Sequence, residues 1–485
     1  MSKIKRSVRS VAATFCVSAL LFLICAAFDS EISAASAASA GSSPDDRHPP
    51  REREPFVQGE LGERIRAYLN AVEERGFSGS IIAARDGRVV AALGAGCADL
   101  ERTTPNTPAT LFEIASVTKP LTATAVIRLA QDGHIELDDP IRVHLPGVPR
   151  DCFDITIEHL LRHTSGIPGS NSQGGGSDFG AVLPLFLRGG PQHEPGTHFE
   201  YWNQGYAILT EVIHRASGTS YTDYSRRMVF EPAGMTLTRF TGDDPPDGAI
   251  VAVGRCSLGP PRSALDHPYG SYGFQYRGMG GIVTNVWDLW RFDRALREHT
   301  IINADLTKRM FTSGPGNDGL GWRIANTPGR TVYSHTGRVR GFNADIRRYA
   351  DEDAFIAVLA NGDRVPSFEI AGSIETILFG DDPMNHSPLG RLSREQSDAL
   401  VGAYRDGRGN VLTISDDTIL IRGVMRWAGN FPDTNAVLGL NDAGEITLDD
   451  RSGVEIPITI TARDAKSNAA TQLSILGQSY ERVSD

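Results

Sequence analysis

The stretch ASVTKP, Ala115–Pro120, places a serine and a lysine three residues apart at the start of a predicted amphipathic helix. On a helix this spacing puts Ser116 and Lys119 on one face, within reach of each other. A serine hydroxyl becomes a good nucleophile only when a base takes its proton, and a lysine can do so if burial or nearby positive charge lowers its pKa. The plainer alternative is that Ser116 only caps the helix. The rest of the chain has to decide between a catalytic pair and a cap.

Lysine is rare in this chain, which makes Lys119 stand out. After the first forty residues the lysines are Lys119, Lys308 and Lys466, and arginine supplies nearly all other positive charge. Because arginine does not lose its proton in proteins, a basic amine would have to come from lysine. Pro120 and the apolar residues after it predict that a helix begins here, with Ser116 at the N-terminus, where free N–H groups favour developing negative charge.

Two further stretches carry residues that could complete a site. The sequence YWN, Tyr201–Asn203, precedes a predicted helix, and SHTG, Ser334–Gly337, ends a predicted strand. Taken singly, these residues could be a core aromatic, a helix cap and a strand end with a turn glycine. In this order, Ser-x-x-Lys, Tyr-x-Asn and His-Thr-Gly resemble the three motifs of class C serine β-lactamases, DD-carboxypeptidases and related family VIII-like esterases. The joint match is much more specific than any one part.

The resemblance extends beyond the three motifs and covers about residues 57–380. Further stretches similar to landmarks of these proteins are Leu160–Pro168, Phe230–Met235, Gly280–Thr284 and Gly319–Trp322. The absence of any Gly-x-Ser-x-Gly sequence argues against the α/β-hydrolase elbow. The resemblance therefore implies a serine hydrolase that works through an acyl-enzyme.

The resemblance also implies a role for each residue of the first two motifs. Ser116 would be the nucleophile, and Lys119 would keep it poised for attack. Tyr201 would relay a proton to the leaving group. Asn203 would orient Lys119 and the substrate amide or ester.

The third motif would bind the substrate along a strand edge. By the same resemblance, His335 and Thr336 would hold the substrate carboxylate or complete the proton network. The small Gly337 would let the substrate backbone lie along the strand. The backbone N–H groups of Ser116 and Arg338 would form the oxyanion hole, the interaction that usually counts most in such reactions.

Two departures from the pattern bear on the substrate. His335 stands where class C β-lactamases have lysine, and Trp202 is bulky where a small residue is usual. Both favour a DD-carboxypeptidase, D-amino acid peptidase or esterase activity over a true class C-like β-lactamase, which stays the alternative. A non-catalytic penicillin-binding-like envelope scaffold is a second alternative. Intact Ser116, Lys119, Tyr201 and Asn203 argue against that scaffold.

The order of helical and strand patterns predicts an α/β (α+β) fold. A helix pattern at 61–72 and a hairpin pattern around Asp86-Gly87 are followed by a mostly helical middle region, and strand patterns return at 331–335, 342–349 and 354–359. This order predicts an antiparallel sheet that is flanked by helices and closed by the two ends of the domain, with an inserted helical region. Residues 57–380 would form this hydrolase domain, and residues 390–485 a small C-terminal β-domain.

The N-terminus has the pattern of an export signal. Basic residues precede an apolar run from Val11 to Phe28, and small residues end at Ala38-Ser-Ala40, so residues 1–40 are predicted to be a signal peptide. An uncleaved membrane anchor is the alternative, because the run is near the lower limit for spanning a bilayer. The polar residues 41–56 would be a linker. The predicted location is the periplasm or the extracellular space, with or without membrane tethering.

Charge and cysteine content limit the partners. The formal net charge is −11, and it becomes −13 without residues 1–40, so a nucleic-acid partner is not expected. The substrate would be a small molecule or peptide, such as a peptidoglycan stem, a β-lactam or an ester. No cofactor or metal is expected, because His159 and His163 have the spacing of a zinc helix but Leu160 stands where its catalytic glutamate would be. The sequence leaves the oligomeric state and a disulfide among Cys97, Cys152 and Cys256 open.

Overall fold

The computed structural model describes residues 52–74, 76–169, 175–255, 260–327, 329–362, 365–380, 392–407, 411–415, 420–423, 434–440, 443–449, 455–475 and 477–483. The predicted signal, the first part of the predicted linker and Cys256 lie outside these residues. No helix within the described ranges is both long and apolar enough to cross a membrane.

The hydrolase region contains α-helices of very different length. They are α1 (Gly59–Glu74), α2 (Thr118–Gln131), α3 (Ile141–His144), α4 (Ile157–Leu161), α5 (Phe179–Phe186), α6 (Asn203–Ser217), α7 (Tyr221–Ser225), α8 (Glu231–Ala233), α9 (Val286–Arg297), α10 (Ala304–Met310) and α11 (Ser367–Leu378). Helix α12 (Arg394–Leu400) follows this region.

The strands of the hydrolase region come from both of its ends. They are β1 (Phe56–Val57), β2 (Gly79–Arg85), β3 (Arg88–Ala95), β4 (Phe112–Glu113), β5 (Arg239–Phe240), β6 (Val253–Gly254), β7 (Arg262–Ser263), β8 (Ile282–Thr284), β9 (Arg323–Thr327), β10 (Arg330–Val339), β11 (Phe342–Tyr349) and β12 (Ala354–Ala360). The main sheet has the order β1-β3-β2-β12-β11-β10-β9, and all its neighbours are antiparallel. The predicted antiparallel sheet made by the two ends of the domain is therefore confirmed.

Side chains alternate between two cores across this sheet. Every residue of β12 is buried, because its side chains point in turn to the two faces. On one face, Ile356 and Val358 pack with Ile65 of α1 and Ile374 of α11. On the other face, Ala357 and Leu359 belong to the larger core made with the inserted helical region. The sheet is thus a middle layer between two helical layers.

The C-terminal β-domain is a closed barrel of eight antiparallel strands. These are β13 (Gly402–Asp406), β14 (Val411–Ser415), β15 (Leu420–Gly423), β16 (Thr434–Leu440), β17 (Ile446–Asp449), β18 (Glu455–Arg463), β19 (Ala470–Ile475) and β20 (Gln478–Arg482). Each strand pairs with the next one, and β13 pairs with β20 to close the ring. The predicted C-terminal β-domain is confirmed, whereas its closure was not predicted. The barrel has its own core, which includes Tyr404 and Leu473.

The end of the predicted linker packs against the hydrolase domain. The Glu52 carboxylate pairs with Arg291, and the Glu52 carbonyl accepts a hydrogen bond of 3.1 Å from Nε1 of Trp287. The Arg53 guanidinium donates to the carbonyl of Gly248 at 2.7 Å. Phe56 and Val57 then form β1 on β3. The packed part of the chain therefore begins before residue 57, because one charged and two neutral polar groups of the domain bind this segment.

Candidate active site

Ser116 and Lys119 lie in contact at the start of helix α2. Ser116 is in a short 3₁₀ turn, Ala115–Val117, that runs directly into the helix. Nζ of Lys119 is 3.0 Å from Oγ of Ser116, within hydrogen-bonding distance. Ala115, the residue before Ser116, has a φ of +46°, which L-residues rarely adopt. This conformation costs backbone energy at the point where the chain turns Ser116 into the site.

The surroundings of Lys119 favour an uncharged amine. The side chain is fully buried, and this burial lowers its pKa well below the ordinary value of lysine. Nζ also lies 3.2 Å from the carbonyl oxygen of Met279 and 4.7 Å from the centre of the Tyr201 ring. A neutral amine can accept the proton of Ser116, so the arrangement provides the base that a serine nucleophile needs.

Tyr201 sits beside the serine–lysine pair. Burial raises the pKa of Tyr201 to about 12, and a hydrogen bond with Ser116 opposes the shift. The phenol therefore keeps its proton at neutral pH and can pass one on. Trp202 is buried, and Asn203 is the first residue of α6. The bulky indole thus packs into the core while Tyr201 and Asn203 flank it.

Strand β10 presents the third motif to Ser116. His335 is buried, and its Nδ1 lies 2.7 Å from the carbonyl oxygen of Thr336, so Nδ1–H donates there. Burial lowers the pKa of His335 to about 3. His335 is thus a neutral imidazole in the place where class C enzymes carry a lysine charge. The side chains of Thr336 and Arg338 are exposed.

Gly337 is the point where β10 meets the serine turn. A Cβ atom at this position would lie 2.1 Å from the carbonyl oxygen of Ile114 and 3.2 Å from the amide nitrogen of Ser116. Only glycine allows this approach, because the Ile114 carbonyl belongs to rigid backbone. The amide of Ser116 therefore lies against the strand that also carries the amide of Arg338, and these are the two amides assigned by resemblance to the oxyanion hole.

One edge of β10 is open beside the nucleophile. Strand β11 pairs with Val332–Val339 on one side, whereas β9 pairs only with Arg330–Ser334 on the other. Within the described ranges, no strand pairs with that second edge of residues 335–339. An extended substrate could form backbone hydrogen bonds there, in the way that peptides add to sheet edges.

Sequence reasoning missed two charged residues near this edge. Arg323, the first residue of β9, pairs with Ser334 and is exposed. Its charge lowers the pKa values of Tyr201 and His335, so it lies within electrostatic range of both. Asp318 forms an antiparallel bridge with Arg323, and burial raises its pKa to about 7. The landmark Gly319–Trp322 lies between Asp318 and Arg323, and it was the feature of the sequence that could have pointed to these two residues.

The sequence gives His163 as half of a zinc pair and as part of the landmark Leu160–Pro168, but it assigns His163 no place beside Tyr201. Nδ1 of His163 accepts a hydrogen bond of 3.0 Å from the amide of Trp202, and its ring centre is 4.4 Å from that of Tyr201. His159 instead accepts a hydrogen bond from the amide of Thr156 within a capping box. In the part of the chain that the structure describes, no three His, Cys, Asp or Glu side chains are grouped to hold a metal ion.

Comparison with known proteins agrees with this geometry. The family model described as Beta-lactamase matches residues 65–375. Penicillin-binding protein 4* of Bacillus subtilis is 30% identical over 386 residues, covering 72% of this chain and 84% of that protein. A D-aminopeptidase of Gluconobacter oxydans is 26% identical over 371 residues, covering 70% of this chain and 66% of that protein.

A solved structure shows the same fold. The octameric penicillin-binding protein homologue of Pyrococcus abyssi has a TM-score of 0.59 at 24% identity, covering 87% of this chain and all of that chain. The family match spans well over half of the sequence and includes the stretches around Ser116, Tyr201 and His335. The chain therefore belongs to the Beta-lactamase family, the serine hydrolases related to penicillin-binding proteins and D-aminopeptidases.

Proposed function

We propose that this protein is an exported serine hydrolase that cleaves an amide or ester through an acyl-enzyme on Ser116. The observation that carries the proposal is the buried amine of Lys119, 3.0 Å from Oγ of Ser116 and beside the open edge of β10. Its activity would be that of a DD-carboxypeptidase, a D-amino acid peptidase or an esterase. The relationship to penicillin-binding protein 4* and to a D-aminopeptidase supports this range.

Acylation would proceed in two proton-balanced steps. Oγ of Ser116 forms a bond to the substrate carbonyl carbon while its proton moves to the neutral amine of Lys119. The negative oxygen of the tetrahedral intermediate would be bound by the amides of Ser116 and Arg338. As the intermediate collapses, the C–N or C–O bond breaks, and the proton passes from Lys119 through the hydroxyl of Tyr201 to the leaving group.

Deacylation would reuse the same groups with water as the nucleophile. The water gives a proton to Nζ of Lys119 as its oxygen attacks the acyl carbon, and Oγ of Ser116 takes that proton when its bond to the acyl carbon breaks. The neutral state of Lys119 is restored after each cycle. Both half-reactions thus need a base that is uncharged at rest, and burial of Lys119 meets this requirement.

Arg323 favours a substrate that carries a carboxylate on the leaving-group side. His335 is neutral, so the third motif supplies no positive charge of its own. Arg323 is exposed at the end of β9, next to the first open position of β10. A guanidinium binds a carboxylate through two parallel hydrogen bonds. A peptide with a free C-terminus fits this arrangement better than a neutral ester does.

A substrate panel tests the proposal. Purified protein is incubated with a D-Ala-D-Ala peptide, nitrocefin and p-nitrophenyl esters, and acylation is followed by intact mass. We expect turnover of the peptide or ester, and an acyl-enzyme that is absent in Ser116→Ala. If no member of the panel is turned over and neither a fluorescent penicillin nor a fluorophosphonate modifies Ser116, the enzyme proposal fails and the scaffold alternative remains.

Export is part of the proposal and needs its own test. The basic, apolar and small-residue segments of residues 1–40 support it. Cell fractionation with N-terminal sequencing of the mature chain would show release from the cytoplasm and cleavage near Ala40. Full-length protein in the membrane fraction would instead support a retained anchor. Full-length protein in the cytoplasm would contradict export.

A further inference from the structure

His163 lies directly behind Tyr201, on a segment that the proposed reaction does not use. The imidazole is buried, and its centre is 4.4 Å from the centre of the Tyr201 ring at an angle of 35°. It is also 5.1 Å from the ring of Tyr206 and 6.0 Å, edge to face, from Phe199. His163 is therefore the packing neighbour that limits how the Tyr201 phenol can tilt.

His163 also holds the backbone on both sides of Tyr201. Its Nδ1 accepts the amide hydrogen of Trp202 at 3.0 Å, and its carbonyl oxygen accepts that of Glu200 at 2.8 Å. These two hydrogen bonds hold the Phe199–Glu200 peptide unit, one residue before Tyr201, and the Tyr201–Trp202 peptide unit that follows it. Because Nδ1 is an acceptor, the ring proton is on Nε2. The same residue thus contacts the side chain of Tyr201 and constrains its main chain.

The charge of His163 suits this role. Burial lowers its pKa well below the ordinary value. The ring is therefore neutral, and it packs near the Lys119 amine without bringing a charge into the site. A protonated imidazole would lose the acceptor at Nδ1 and release the amide of Trp202.

The backbone of His163 is also unusual. Its φ is +57°, a left-handed conformation that non-glycine residues adopt rarely and in which asparagine and histidine are enriched. The conformation follows directly after helix α4, where the chain turns back toward Tyr201. A residue kept in this conformation needs compensating contacts, and the two hydrogen bonds to the Tyr201 segment supply them.

We propose that His163 is a positioning residue that fixes the Tyr201 phenol beside the Ser116–Lys119 pair. It touches neither the substrate nor the transferred proton, and it acts only through Tyr201. The proposal rests on the proposed function, because Tyr201 must be the group that relays the proton. Without the contacts of His163, the phenol would shift relative to Oγ of Ser116, and a misplacement near 1 Å costs roughly 100-fold in rate.

The first variant is His163→Asn. Asparagine accepts the left-handed backbone, and its Oδ1 can take the amide of Trp202 in place of Nδ1, so the fold is kept while the ring contact with Tyr201 is lost. The rate of Ser116 labelling by a fluorophosphonate and kcat for the best substrate should fall roughly 10- to 100-fold, with KM changed less than about threefold. His159→Asn, in the capping box of α4, is the matched control and should keep wild-type rates.

A double-mutant cycle separates positioning from general destabilisation. In a Tyr201→Phe background, His163→Asn should cause no further loss in the labelling rate, because the group it positions has gone. Equal losses in both backgrounds, or wild-type rates in His163→Asn itself, would overturn the role. Spectra of ¹⁵N-histidine-labelled protein supply a second measurement, in which Nδ1 of His163 should stay unprotonated from pH 5 to pH 8. Titration of His163 in that range would also overturn it.

The Ser116→Ala variant keeps the two proposals distinguishable. If it abolishes hydrolysis while His163→Asn keeps wild-type rates, the proposed function stands and the positioning role is wrong. If Ser116→Ala hydrolyses the substrate like the wild type, the proposed function fails, and the positioning role fails with it.

Discussion

Gly337→Ala is the most direct test of how the strand edge and the nucleophile are held together. The new methyl carbon would be 2.1 Å from the carbonyl oxygen of Ile114, whereas ordinary van der Waals contact begins near 3.4 Å. Strand β10 and the serine turn must therefore separate by about 1 Å, since backbone on both sides cannot rotate away. Overpacking of this kind costs about 1–3 kcal/mol of folding stability.

The effect on catalysis should exceed the effect on folding. A 1 Å displacement between the Ser116 amide and β10 widens the predicted oxyanion hole, so kcat/KM should fall by roughly 100-fold or more. The assay is ester or peptide hydrolysis combined with urea unfolding of the same preparation. Gly362→Ala is the matched control, because a Cβ there would meet no atom within 4 Å. If Gly337→Ala stays within threefold of wild-type kcat/KM, the close approach of β10 is not what assembles the site.

Three further predictions concern buried charge. Lys119→Met should lower kcat roughly 10²- to 10⁴-fold by removing the base, yet raise the melting temperature, since an amine with a lowered pKa is costly to bury at neutral pH. In the wild type, Asp318 ionises near pH 7 beside Arg323, so KM for a substrate with a free carboxylate should rise through that pH. In Asp318→Asn no negative charge forms there, and this rise in KM should be absent. Arg262→Met leaves the buried carboxylate of Glu113 with the hydroxyl of Tyr276 but without an opposite charge, so the free energy of unfolding should fall by about 3–5 kcal/mol.

Asp318→Asn also has a stability signature with a defined sign. The folded pKa of Asp318 is about 7, whereas an unfolded aspartate titrates near 3.9, as do model peptides. The folded state holds the proton more tightly, so this group makes the protein less stable as pH rises from about 4 through 7. That part of the pH dependence should vanish in the variant, and urea midpoints at pH 4, 6 and 8 would show it. An unchanged profile contradicts the assignment.

Each of the other two variants has its own control. Lys119→Met with full activity would exclude the lysine as base. Unchanged activity in Lys308→Met is expected because the Lys308 side chain is exposed on α10. For the Arg262–Glu113 pair, Glu113→Gln in the Arg262→Met background should recover most of the lost stability, since the uncompensated charge is gone. A double variant no better than Arg262→Met would contradict the buried-charge explanation.

The parts of the site that the sequence revealed are those governed by local spacing. Ser116 and Lys119 are three residues apart where a 3₁₀ turn runs directly into helix α2, so their contact follows from local helical spacing. Strand periodicity likewise predicted β10, β11 and β12 within a few residues, because alternating burial is a local pattern.

The parts that the sequence did not reveal depend on distant pairing. Arg323 and Asp318 reach the site only because β9 pairs with β10 in one register, and His163 reaches Tyr201 across a gap of 38 positions. Closure of the C-terminal barrel likewise depends on pairing between β13 and β20, the first and last strands of the domain. Hydrophobic periodicity does not depend on strand register or on closure of a barrel, so residue patterns alone could not predict either of them.

The short length of β9 sets how much of the β10 edge is open to the substrate. Five residues of β10, His335 to Val339, extend past the end of the β9 pairing, and an extended chain rises about 3.3 Å per residue, which leaves a slot roughly 16 Å long. In a slot of this size a substrate can form main-chain hydrogen bonds over only a few residues. A short peptide end would therefore be bound as well as a long polymer. Lengthening β9 by two residues at its N-terminal end would shorten the slot from the Arg323 side. Substrate size could thereby be tuned without changing any catalytic group.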